Sequence, residues 1–128
     1  MTNEEKIKEL ATKYDLNKDD FWKHAQSGKW ILSHDAVTKI AHIENIIVAP
    51  PQILNSERDF VRMVITAKKG DVVMWTTGEA DSKNCQNKYY LAMAEKRGKD
   101  RIILSLISAY EYGIYSDVEA DTFKKGAK

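Results

Sequence analysis

Apolar residues recur at spacings of three and four from Asn3 to Tyr14. Ile7, Leu10, Ala11 and Tyr14 form one stripe, and Glu4 and Glu5 stand near the positive helix end, so a short helix is predicted. The next stretch predicts a second turn or short helix that opens near Asn17 to Asp20, sets Phe21, Trp22 and Ala25 on one face and stops at Gly28. After the apolar Trp30-Ile31-Leu32, Ser33 is placed to cap a helix over His34 to Ile43, where Val37, Ile40, Ala41 and Glu44 keep helical spacing.

From Asn45 the period changes. Ile46-Ile47-Val48 runs into Pro50-Pro51, which cannot donate to a central ladder, so an edge or interrupted strand is predicted. Phe60 to Thr66 and Val72 to Thr77 are rich in β-branched and aromatic residues, and the link Ala67-Lys68-Lys69-Gly70-Asp71 supplies a hairpin turn. Trp75, a large aromatic within a strand, is expected in the core. Gly78 to Gln86 reads as a polar loop, and Asn87 to Tyr110 as one long helix weakened only by Gly98. The expected class is α+β: N-terminal helices, a three-stranded antiparallel meander and a long C-terminal helix, an α-β-β-β-α core.

On the long helix Leu91, Ala94, Gly98, Ile102 and Ala109 lie close to one line, with Leu106 beside it. The small Ala94 and Gly98 would let the helix approach the sheet closely. Arg97 and Arg101 project together away from that line. Glu95 with Lys99 and Lys96 with Asp100 form i,i+4 pairs worth roughly 0.2–0.5 kcal/mol each, which leaves the arginines as the better phosphate candidates. Ile103, Leu104 and Ile107 make the second half apolar nearly all round, a surface that needs the N-terminal helices or another subunit to cover it.

With 128 residues the chain suits one domain, read as an N-terminal helical region over 1–28, a core over 29–115 and a flexible tail over 116–128. Twenty Lys and Arg against nineteen Asp and Glu give a net charge of +1, so a nucleic-acid site has to arise from local segregation of charge. A single cysteine and no apolar N-terminal stretch lead us to expect no disulfide, signal peptide or membrane span, and a reducing, cytoplasmic setting.

Catalytic chemistry finds little footing. His34 and His42 stand roughly 12 Å apart along a helix, too far to share a metal. Cys85 has Lys83 and Lys88 nearby but no histidine close in sequence to act as base. No phosphate-cradling GxxxxGK[ST] run, HExxH or GxSxG occurs. No enzyme activity, cofactor or metal is expected.

The words FWKHAQSGKWILSHDAVTKIA, NKYYLAMAEKRGKDRIILSLI and GIYSDVEADTF cover about two-fifths of the chain and resemble phage single-strand annealing recombination proteins of the Erf type, distantly similar to eukaryotic annealing recombinases. The resemblance implies a β-β-β-α core, a homo-oligomer, and pairing of complementary single-stranded DNA in a host-cell cytoplasm without nucleotide hydrolysis. This chain is shorter and less basic than such proteins usually are. Carried over by position, backbone contacts fall to Lys68 and Lys69 on the hairpin tip, Lys83 and Lys88 before the long helix, and Arg97 and Arg101 on it. Tyr89 or Tyr90 would stack on bases.

Two alternatives stand beside this reading. The chain could be a phage protein-interaction module docking through Ile103, Leu104, Ile107 and its acidic tail. It could also be a double-stranded RNA-binding domain, which shares the element order but places more lysines at the start of its last helix.

Overall fold

The computed structural model describes residues 2–85 and 89–119. Helix α1 (Asn3–Lys13) starts in a reciprocal capping box. The Glu5 amide donates to Thr2 Oγ1 at 3.1 Å and the Thr2 amide to Glu5 Oε1 at 2.9 Å. Strands β1 (Phe21–Lys23) and β2 (Trp30–Leu32) form an antiparallel hairpin. Helix α2 (His34–Ile43) is capped by Ser33, whose hydroxyl accepts from the Ala36 amide at 3.0 Å. Strands β3 (Ile47–Val48), β4 (Gln52–Glu57), β5 (Phe60–Lys69) and β6 (Val72–Asp81) precede helix α3 (Tyr90–Leu106). A short 3-10 turn (Tyr110–Tyr112), strand β7 (Ile114–Ser116) and a second 3-10 turn (Asp117–Glu119) follow. The class is α+β.

The larger sheet is a meander around β5. Strand β6 pairs β5 over its full length, from Phe60↔Asp81 to Lys69↔Val72. The other edge of β5 is shared by β4, against Phe60–Val64, and β3, against Ala67 and Lys68. Pro50 and Pro51 stand between β3 and β4 where no ladder donor is available, so the predicted edge strand is the short β3, ending at Val48. Gly70, at φ +61°, takes the first turn position of the β5–β6 hairpin, where a side chain would be strained.

Helix α3 covers one face of this sheet, on Val61, Met63, Ile65, Ala67 and Ala80. The approach is close. A Cβ on Gly78 would lie 2.1 Å from the Ala94 carbonyl oxygen, and one on Gly98 would lie 2.5 Å from Ile65 Cγ1. Ala94 and Gly98 thus have the role their size predicts. The opposite side of α3 is covered by α2 and β7, and Ile103 and Leu104 are buried. That answers what covers the helix that is apolar all round: elements of this chain, so Ile103 and Leu104 present no docking surface.

Several expectations are corrected. The second helical turn over 17–28 is instead the β1–β2 hairpin, which places a strand inside the expected N-terminal helical region. Phe21 pairs Leu32 and Trp22 pairs Ile31 across the hairpin, and the Phe21 ring packs on Trp30 with centroids 6.2 Å apart while Trp22 stays 41 % exposed. Strand β2 also pairs β7 in parallel, from Trp30↔Ile114 to Leu32↔Ser116, so Ser116 and the turn Asp117–Glu119, the first four residues of the expected tail, are built into the fold; the rest of that tail, 120–128, lies outside the described residues. Strand β4 was not foreseen, because the bulge between Ile53 and Asn55 breaks its alternation. The predicted loop Gly78 to Gln86 gives its first four residues, through Asp81, to the end of β6, while 82–85 are turn and loop as expected. Helix α3 ends at Leu106, four residues earlier than expected, because Ser108 turns left-handed at φ +61° and the Ala109 amide returns to the Leu104 carbonyl at 2.8 Å. Helices α1 and α2 end in the same way, through Asp15 (φ 53°) and Asn45 (φ 56°). Among the described residues no helix is long and apolar enough to cross a membrane.

Candidate nucleic-acid interface

The eight residues singled out from the sequence do not converge. Lys68 and Lys69 lie at one end of the larger sheet and Lys83 follows its other end. The ten residues of β6 between them span roughly 30 Å at about 3.3 Å per residue. Lys83 is exposed in the turn after β6 and Tyr89 is exposed at the start of α3, while Tyr90 packs against the core. Lys88 lies outside the described residues.

Arg97 and Arg101 are corrected outright as phosphate ligands. Arg97 is 2 % exposed. Its Nε donates to the Val118 carbonyl at 3.2 Å, and its Nη1 donates to the Glu79 carbonyl at 3.0 Å and to Asn84 Oδ1 at 2.7 Å. Nη2 donates to the Asn84 carbonyl. Arg101 Nη1 donates to the Thr77 carbonyl at 2.6 Å, and Nη2 reaches Glu119 at 2.9 Å and Glu79 at 3.3 Å. Burial alone would lower the pKa of Arg101, but the Glu119 carboxylate beside it outweighs that and holds the guanidinium charged. Helical spacing placed both side chains together correctly. What it lacked was the direction of the sheet edge they face.

That edge explains them. Thr77 and Glu79 turn their carbonyls away from β5, toward the side of β6 that has no strand partner, and α3 covers both with guanidinium groups. By strand alternation the backbone groups of Val73 and Trp75 point the same way, nearer the hairpin tip, and no arginine reaches them.

The face of the sheet away from α3 carries the remaining chemistry. Its cross-strand rows are Ile47–Lys68–Val73, then Thr66–Trp75, Gln52–Val64–Thr77, Asn55–Arg62–Glu79 and Glu57–Phe60–Asp81. Trp75 is 69 % exposed, contrary to its expected place in the core, because odd positions of β6 point away from α3. Val73 is 64 % and Ile47 61 % exposed beside it. Lys68 projects onto this face and makes no ion pair among the described residues. The carboxylates of Glu57, Glu79 and Asp81 lie at the far end, where Arg62 donates to Asn55 Oδ1 at 2.9 Å. The hairpin end is therefore aromatic, aliphatic and cationic, and the far end mixed in charge.

Lys69, one residue on, turns to the other side and is tied to the body. Its Nζ lies 3.8 Å from Glu44, which also pairs with Lys13 at 3.2 Å and accepts the Tyr14 hydroxyl proton. The Tyr14 bond holds the Glu44 carboxyl below its usual range, and burial, followed by that same bond, pushes the Tyr14 hydroxyl up. These groups gather where the C-termini of all three helices meet, so the lysines also offset three partial negative charges.

A second cluster joins α2 to α3. His34 Nδ1 lies 2.9 Å from both oxygens of the buried Asp100, and the His34 amide donates to Asp117 Oδ1 at 3.1 Å. Burial pushes the Asp100 carboxyl up to about 6, against the pull of the His34 bond. Asp100 thus pairs across helices and not with Lys96, whereas the Glu95–Lys99 pair forms at 3.5 Å. Residues 34 and 100 are too distant in sequence for any spacing rule to join them. Among the described residues no group of three or more His, Cys, Asp or Glu is placed to hold a metal. Searches of family models, curated proteins and solved structures return no match for this chain.

Proposed function

We propose that this chain binds single-stranded DNA and pairs complementary strands without bond chemistry or a cofactor, as a homo-oligomer acting in recombination or replication. The reading combines the resemblance of its sequence words to annealing proteins with a meander-plus-helix fold whose sheet is uncovered on one face among the described residues. The observation that carries it is Trp75, exposed in the middle of β6 beside the unpaired cation Lys68. An aromatic ring on a sheet stacks on any unpaired base, and a cation beside it takes the phosphate. The site moves from the residues expected on the helix to the hairpin half of the sheet. Lys68 is retained, and Trp75 takes the stacking role first given to Tyr89 and Tyr90.

The test is fluorescence anisotropy with labelled single-stranded DNA, duplex DNA and duplex RNA at two salt concentrations. Trp75→Ala is expected to weaken single-strand binding by 1–3 kcal/mol, about 5- to 150-fold. Lys68→Ala is expected to reduce the slope of log affinity against log salt by about 0.7. Unchanged affinity for Trp75→Ala would remove the sheet face from the reading. A second reading, a protein-interaction module, is favoured by the uncovered backbone edge at Val73 and Trp75, which suits addition of a strand. It predicts no DNA binding at low salt and association that is insensitive to salt.

A further inference from the structure

Between β3 and the β5–β6 hairpin the open face sinks into a depression of about 250 Å³, lined by Ile47, Ala49, Thr66, Ala67, Lys68 and Val73. Its floor and walls are almost wholly apolar, and Lys68 stands on its rim. The row that contains it, Ile47–Lys68–Val73, is the immediate neighbour of the row that contains Trp75. From these placements, and resting on the single-strand reading above, we infer that the bound strand lies with its bases toward the protein. One base stacks on Trp75 and an adjoining base enters the depression, with a phosphate of that strand on Lys68.

Spacing is the first argument. Residues two apart on one strand face stand about 6.8 Å apart, twice the 3.4 Å rise per nucleotide of a duplex strand. Two successive bases can reach the two positions only after unstacking, which a single strand does readily and a paired one does not. Charge is the second argument. The rows of Lys68, Trp75 and Val64 contain no carboxylate, and those of Glu79, Glu57 and Asp81 lie three or more rows from Lys68. Asp71, on the turn itself, is the nearby acid. An acidic polymer with flat apolar faces fits this end, and a basic peptide does not.

The orientation has a mechanistic consequence. Bases held against the sheet are hidden from a complementary strand, so pairing requires each base to leave its seat. The sheet then acts as a holding site that competes with the duplex, and stronger seating slows annealing.

The experiment uses the intact chain with an oligothymidylate and the same oligonucleotide carrying abasic positions, read by anisotropy and by permanganate oxidation of the bound thymines. The expected result is protection of thymines in the complex and affinity for the abasic strand at least about fivefold lower. Val73→Asp, at a position 64 % exposed, is expected to lose both effects while its thermal melt stays that of the parent. Binding of the two oligonucleotides with equal affinity, with thymines fully reactive, would overturn the orientation and leave single-strand binding standing. If neither oligonucleotide binds, both the orientation and the single-strand reading are overturned. A Val73→Asp protein that loses an oligomer by light scattering but keeps its DNA affinity and thymine protection would assign the depression to a second copy of the chain and overturn the inference.

Discussion

Replacing Gly78 by alanine tests the contact on which the whole fold closes. The added Cβ would sit 2.1 Å from the Ala94 carbonyl oxygen and 3.0 Å from the Gly98 amide nitrogen, both backbone atoms of α3. Ordinary contact begins near 3.4 Å, so helix and sheet have to separate by about 1.3 Å. That separation loosens Ala94, Ile102, Met63 and Ile65 together, and no rotamer change relieves it. Overpacking costs typically 1–3 kcal/mol and more where backbone has to move, so a loss of about 3 kcal/mol or more is expected. Against a total of 5–15 kcal/mol this is a large fraction of the stability, and it lowers the melting temperature by roughly 10 °C or more.

Gly98→Ala is the internal control. Its Cβ meets a side-chain atom, Ile65 Cγ1 at 2.5 Å, with the nearest sheet backbone atom, Gly78 Cα, at 3.3 Å, so the backbones need not separate as they do for Gly78→Ala, and the substitution gains about 1 kcal/mol of helix propensity. Urea unfolding at constant slope m should rank Gly78→Ala well below Gly98→Ala. Equal stabilities, or a Gly78→Ala protein within about 1 kcal/mol of the parent, would refute the argument that this contact closes the fold.

Further outcomes follow from other sites. Ser108→Gly is expected to raise stability by about 1 kcal/mol in urea melts, because the residue already sits at φ +61° where a Cβ is strained. Asp100, with its folded pKa near 6 and an unfolded value near 3.8, binds its proton more tightly when folded. Its contribution is present below about pH 4 and is lost as pH rises through 6, by up to about 3 kcal/mol, so the stability difference between parent and Asp100→Asn should change across that window. A difference that stays flat from pH 4 to 7 would refute it. Arg97→Lys should cost about 2–4 kcal/mol by denaturation, since one ammonium cannot serve the carbonyls of Glu79, Asn84 and Val118 together. The DNA affinity of the folded fraction should stay at the parent value.

Local signals were legible wherever the chain interacts with itself over a few residues. The stripe of Ile7, Leu10 and Tyr14, the Ser33 cap with its helix to Ile43, the Gly70 turn and the small Ala94 and Gly98 all read directly, because periodicity, capping and steric size act within a turn or a hairpin. The proline-broken edge strand read directly for the same reason. What only the tertiary structure decided was direction and partnership at long range. The sequence put Arg97 and Arg101 side by side but could not say that the β6 carbonyls lie within their reach. It marked Trp75 as a strand aromatic but not on which face of the sheet it falls. A shift of one residue exchanges the two faces of a strand, so only the packed position of α3 decides whether Trp75 is core or platform. In the same way Trp30-Ile31-Leu32 becomes the central strand of a sheet only when Ile114–Ser116, more than eighty residues later, lies down beside it.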